Sequence, residues 1–123
     1  MATQTTKIAP PNSLILISDV DGGDVPKSMD GALVSATKSC VVVGCLCEID
    51  GPTELTLLSL VHANRTDLPV FAGTLETPQR RVVVSTVHGQ LLLEQPVPHE
   101  VSAIKVWVND DREPDKIVVG VGP

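Results

Sequence analysis

The chain has 123 residues, 42% of them hydrophobic, and fifteen Asp and Glu against nine Lys and Arg give a formal charge of −6. A chain of this length can bury one core unaided, and its apolar content excludes a disordered polymer. Phe71 and Trp107 are the only aromatics, so nucleic acid is not an expected partner: the charge repels phosphate, and stacking platforms are missing.

Residues 1–12, MATQTTKIAPPN, are polar and contain Pro10 and Pro11. They read as a disordered N-terminal arm ahead of a single domain over 13–123. The arm lacks the basic start and apolar run of a secretory signal, and no stretch has the length needed to span a bilayer. A cytoplasmic protein with no membrane partner is therefore expected.

Ser13–Ser18, SLILIS, is the first expected strand, ended by the turn-rich DVDGGDVP. Residues 27–38 place Met29, Leu33 and Ala36 at helical spacing, but Gly31 and the β-branched residues weaken a helix, leaving a loop or weak strand. Ser39–Ile49 is a long strand candidate, with a bulge expected at Gly44. Asp50-Gly51-Pro52 is a turn, and Thr53–Val61 returns as a strand. After a loop at 64–69, Pro69–Glu76 and Arg80–Val87 are strands joined by a turn at Thr77-Pro78. His88-Gly89 is a hairpin candidate leading into Gln90–Glu94. Pro96 and Pro98 interrupt pairing, because proline cannot donate to a ladder. Val101–Val108 alternates, with Ile104, Val106 and Val108 on one face and Ala103, Lys105 and Trp107 on the other. Trp107 is expected as an anchor between sheets, given the area it buries. The charged loop 109–115 precedes a last strand, Lys116–Val121. Val-rich segments with turns every eight to twelve residues predict an all-β fold, a two-sheet antiparallel β-sandwich of about eight strands.

Cys40, Cys45 and Cys47 are odd in number and clustered, which suits reduced, buried thiols better than a disulfide framework. Cys45 and Cys47 share one face of a strand, where bridging would be strained. His62, His88 and His99 stand alone in turn-like contexts, with no nucleophile elbow beside them. No catalytic residue and no cofactor is expected. Of Arg80 and Arg81, one is expected to pair with Glu76 or Glu94 across strands.

The carboxylates concentrate at two places. Asp19, Asp21 and Asp24 leave the first strand, and Asp110, Asp111, Glu113 and Asp115 fill the last loop. Such acidic tips would steer a basic protein toward them, and these seven residues are the candidate contacts. A metal reading competes: Asp19 and Asp21, with Asp24, Asp110, Asp111 and Asp115 in support, offer the hard oxygen ligands that magnesium or calcium prefers. A third possibility is a homo-oligomer built through open edge strands.

Three resemblances bear on these alternatives. LILISDVDG, with Asp19-x-Asp21-Gly after an apolar strand, resembles the first motif of haloacid-dehalogenase-type phosphohydrolases. That likeness implies a nucleophile at Asp19, an acid/base at Asp21, a magnesium ion, and a parallel sheet flanked by helices. Residues 73–121 resemble a group of small bacterial proteins without an assigned activity, through TLETPQRRVVVSTVHG (74–89), LLLEQPVP (91–98) and VWVNDDREPDKIVV (106–119). The layout of a small acidic all-β chain, a late hairpin and an acidic loop before the last strand is similar to that of the competence-type nuclease inhibitors. It implies a non-enzymatic binding protein, an acidic inhibitor or immunity-like partner of a basic protein. The alternative is a metal-dependent phosphohydrolase-like or calcium-binding module at Asp19 and Asp21.

Overall fold

In a pleated strand alternate side chains face opposite ways, and the apolar residues of this chain fall on one parity. In Thr53–Ser59, for example, Thr53, Leu55 and Leu57 are buried while Glu54, Thr56 and Leu58 turn outward. The computed structural model describes residues 3–122 and contains ten such strands. They are β1 (Gln4–Ile8), β2 (Leu14–Asp19), β3 (Val34–Ala36), β4 (Cys40–Gly44), β5 (Thr53–Ser59), β6 (Phe71–Glu76), β7 (Arg81–Ser85), β8 (Leu91–Pro96), β9 (Val101–Val108) and β10 (Lys116–Gly122). Three single 3₁₀ turns, at Pro11–Ser13, Glu48–Asp50 and Leu60–His62, are the only helical pieces among the described residues.

The strands form two five-stranded sheets, β1-β5-β10-β9-β6 and β3-β4-β2-β7-β8. Their inner faces supply one core. Ile15, Ile17, Val41, Val43, Val82, Val84 and Leu93 come from one sheet, and Leu55, Leu57, Leu75, Ile104, Val106, Ile117 and Val119 from the other. Each such side chain contributes about 1.5–3 kcal/mol on leaving water. The interior is thus mainly apolar, with Asp19, Thr53, Thr77, Gln95 and Ser102 buried beside it.

The all-β, two-sheet expectation matches this architecture, with three differences. There are ten strands, because the segments at 4–8 and 34–36 also pair. Within the stretch 1–12, expected as a disordered arm, Gln4–Ile8 runs antiparallel to β5 in register Gln4↔Leu57 to Ile8↔Thr53. Its Thr and Lys residues look unstructured by composition, but Thr5 and Lys7 occupy the wet outer face of an edge strand while Thr6 and Ile8 turn inward. Nor are both sheets antiparallel. β10 runs parallel to β5, so the first sheet is mixed.

Gly44 ends β4 instead of bulging it, and the ladder irregularity lies at Val84/Ser85. The turn at 77–80 carries the chain from one sheet to the other, while 86–90 closes a hairpin within the second sheet. That hairpin turn is longer than two residues: Gly89 N–H donates to Thr86 O at 3.0 Å, with Gly89 at φ 82°.

Trp107 does not sit between the sheets. Its partners across the ladder are on the outer parity (Val118), and it is buried there to 5% exposure by the segment after β5. Its Nε1–H donates to Asp67 O at 3.1 Å, and the Arg65 guanidinium lies 5.4 Å from the ring centroid. Gly120, also on the outer face, leaves room for Leu60 against the indole. The lone large aromatic therefore pins a cover on the back of the mixed sheet.

Candidate functional site

The two acidic segments are built differently and lie at opposite ends of β2. Asp19 ends β2 and is fully buried. Its Oδ2 accepts the Asp21 N–H at 3.1 Å and its Oδ1 the Gln79 N–H at 3.0 Å. Asp19 O accepts the Gly22 N–H at 2.8 Å. The carboxylate therefore clips the 19–22 turn to the turn that joins the sheets. It is neither exposed to a partner nor free as a nucleophile. Asp21 and Asp24 are exposed, and Asp24 is tied to the 37–39 segment through the Ser39 and Thr37 hydroxyls at 2.8 and 2.6 Å. Among the described residues, no three His, Cys, Asp or Glu side chains come together as a metal-holding group. The likeness of LILISDVDG to a phosphohydrolase motif does not extend to the fold, which has no helix-flanked parallel sheet.

The loop 109–115 is ordered by its own side chains. Asp110 Oδ2 accepts the N–H groups of Glu113 and Arg112 at 2.7 and 3.0 Å. Those two bonds hold its carboxyl below the usual carboxylate range, with Glu113 contributing most. Asn109 Oδ1 accepts the Asp115 and Lys116 N–H groups, both at 3.1 Å, and its Nδ2 donates to Asp115 Oδ1 at 2.6 Å. Pro114 is buried, and its carbonyl accepts the Leu46 N–H at 2.9 Å. The backbone is anchored while Asp110, Asp111, Glu113 and Asp115 all stay exposed.

That Leu46 bond joins the loop to a second acidic tip. Glu48-Ile49-Asp50 follows as a 3₁₀ turn, and Asp50 shares a hollow with Glu54, Asp115, Lys7 and Lys116. Asp111 and Arg112 meet Leu14, at the start of β2, in a neighbouring hollow. Since β2 rises about 3.3 Å per residue, Asp19 lies roughly 17 Å away along the strand. Seven carboxylates (Glu48, Asp50, Glu54, Asp110, Asp111, Glu113 and Asp115) thus gather at one end against three cations, Lys7, Arg112 and Lys116. Between Glu48 and Asp50, Ile49 is 88% exposed. Of the seven expected contacts, the structure groups the four on 109–115 and sets Asp19, Asp21 and Asp24 apart. Glu48, Ile49, Asp50 and Glu54 escaped the sequence reading because Ile49 was placed at the end of a strand. The Asp50-Gly51-Pro52 turn beside it was the signal that the strand had already stopped.

Little else at this end suggests bond-making chemistry. The hollow beside Leu14, of about 390 Å³, is open and is lined by Met29, Ala32, Leu33 and Cys45 as well as Asp111 and Arg112. Burial pushes the Cys45 thiol up, and the neighbouring Thr53 hydroxyl offsets part of that rise, although no hydrogen bond of good geometry forms to Thr53 Oγ1. Burial drives Cys40 up to about 11. All three cysteines are free, as expected, and Cys47 is half-buried. Among the described residues no histidine ring hydrogen-bonds a Ser, Thr or Cys side chain.

No protein-family model matches the chain, and no curated protein does. Its fold is similar to that of ComJ. The crystal structure of ComJ from Bacillus subtilis, an inhibitor of the DNA-degrading activity of NucA, superposes with a TM-score of 0.68 at 7% identity, over 97% of this chain and 94% of that one. The protein of crocagin biosynthetic gene J superposes with a TM-score of 0.57 at 14% identity, over 100% and 99% of the two chains. At such identities the likeness establishes the two-sheet fold and its near end-to-end extent.

Proposed function

We propose that this protein is a non-enzymatic binding module whose acidic end covers the basic surface of a partner protein, and that the partner is a DNA-degrading nuclease. The observation that carries the reading is the exposed Ile49, flanked by Glu48 and Asp50, on a segment whose Leu46 N–H bonds the anchored loop that presents four more exposed carboxylates. An apolar anchor inside a charged rim is the anatomy of a protein interface. The anchor sets residence time, and the rim sets approach. A nuclease must be basic where it grips phosphate, so a fixed acidic surface competes with DNA for the same charge. The fold likeness to ComJ, an inhibitor of the DNA-degrading activity of NucA, supports the same class of partner. The metal reading lacks comparable support, because Asp19 is occupied by two backbone N–H groups.

The test is titration of this chain into a DNA-degradation assay with NucA and other basic nucleases, at about 50 and 500 mM salt. Inhibition at low salt that weakens about tenfold or more at high salt is the expected result, since salt screens exposed charges beyond roughly a Debye length. Inhibition indifferent to salt, or none with any basic nuclease, overturns the reading.

A further inference from the structure

Four strands lie at sheet edges, and three are protected. β3 has only three residues. β8 carries Glu94 and ends at Pro96, and Gln4 Nε2 donates to its Glu94 carbonyl. β1 carries Lys7 and lies against that same β8 edge. Short length, charge, proline and coverage are the usual means by which an edge is kept from pairing. β6 has its single charge, Glu76, at its last position, and its first five residues have none of these protections. From Leu68 to Leu75 the sequence LPVFAGTL holds no charge, in a chain whose net charge otherwise drives copies apart.

The backbone parity of β6 is fixed by its surroundings. Thr77 N–H turns inward to Glu100 O at 2.8 Å, and Glu76 N–H turns outward to Lys38 O at 2.9 Å. Alternation then aims the N–H and C=O groups of Ala72 and Thr74 outward, and Ala72, Gly73 and Thr74 are all exposed. Another extended backbone pairs with such a row directly, in place of water.

We propose that β6 is a self-association edge, pairing antiparallel with β6 of a second copy about a two-fold axis at Gly73. Among antiparallel registers, this one sets each outward residue against an outward residue: Ala72 faces the partner's Thr74, and Thr74 faces the partner's Ala72. Four backbone hydrogen bonds form around the axis, and the two mixed sheets become one continuous sheet. The ladder stops by itself at either end, because Glu76 N–H is taken by Lys38 and Val70 N–H by Val106 O at 2.7 Å. The register also keeps the two Glu76 side chains about six residues, roughly 20 Å, apart along the edge. It sets Val70, 41% exposed, opposite the partner's Glu76, with the partner's Val101 on the strand beyond. A second copy is the favoured occupant because it supplies an uncharged strand of matching parity, whereas a charged peptide would gain nothing from this edge. The acidic end plays no part in the contact and stays free in the dimer.

Sedimentation of the full chain tests this. Mass is expected to rise from monomer toward dimer as concentration reaches about 100 µM, the range of a small interface. Thr74→Pro removes an outward donor without breaking a ladder bond inside the sheet, and Ala72→Lys adds charge at the axis. Either variant is expected to remain monomeric at the same concentration, with the far-ultraviolet spectrum of the parent. A third measurement stands even if the proline variant misfolds. Ala72→Cys chains mixed with Thr74→Cys chains, both carrying Cys47→Ser, should form a disulfide under mild oxidant between unlike chains and not between like ones. A parent chain that stays monomeric, a dimer that survives both edge variants, or cross-linking without this pairing preference overturns the proposal. An extended peptide that binds β6 while the parent remains monomeric does so too.

Discussion

Asp19 illustrates how a residue that looks chemical can be structural. Its short carboxylate reaches two backbone donors on different turns, Asp21 N–H and Gln79 N–H. Without it both donors lose the partner that the buried carboxylate supplies. An unsatisfied buried group costs about 1–3 kcal/mol, so Asp19→Ala should lower unfolding free energy by roughly 2–4 kcal/mol. Asp19→Asn, which keeps one acceptor oxygen, should lose about half as much. Asp21→Ala, exposed, should stay within about 0.5 kcal/mol of the parent. Urea unfolding measures all three. A neutral Asp19→Ala would mean that the clip between the sheets is not needed. From sequence, Asp19-x-Asp21-Gly reads as a turn whose carboxylates contact a partner, hold a metal or supply a nucleophile. Burial in three dimensions, which no local pattern reports, supplies the structural reading.

At the scale of elements, what was legible was local. β5, β7, β9 and β10 follow from the alternation of Val, Ile and Leu, and the Asp50-Gly51-Pro52 and Thr77-Pro78 turns follow from their residue types. What was not legible depended on distant partners. β1 becomes a strand through β5, and the parallel β5–β10 pair joins residues some sixty apart with no turn to announce it. The cover over Trp107 is of the same kind. A Cβ built on Gly120 would lie 2.6 Å from Leu60 Cδ2 and 3.1 Å from Trp107 Cζ3. Gly120→Ala should therefore push the 60–67 segment outward, at the cost of about 1–3 kcal/mol typical of overpacking. Because Trp107 is the single tryptophan, its emission should shift red as water reaches the ring. Combining Gly120→Ala with Leu60→Ala should return the emission toward that of the Gly120 parent. Unchanged emission in the single variant would refute the packing account.

At the scale of the molecule, the sandwich separates its tasks. The core holds the sheets, the cover protects one outer face, and the charge collects at one end. If that end is a binding surface, its two components must act on different steps of association. Ile49 is flanked by Glu48 and Asp50 and touches a partner only once docked, so Ile49→Ala should raise the dissociation rate about 10- to 100-fold and leave the association rate near its starting value. The loop carboxylates act earlier, through their field. Asp110→Asn, Asp111→Asn, Glu113→Gln and Asp115→Asn together remove four charges but keep the oxygens that Asn109, Arg112 and Glu113 need. The quadruple variant should lower the association rate about tenfold at low salt and flatten its salt dependence, with a smaller effect on dissociation. Neutralising Asp21 and Asp24, at the far end of β2, should do neither. Surface plasmon resonance against an inhibited nuclease, at two salt concentrations, separates the steps. An Ile49→Ala chain that dissociates like the parent, or an Asp21/Asp24 variant as impaired as the loop variant, would move the contact surface away from this end.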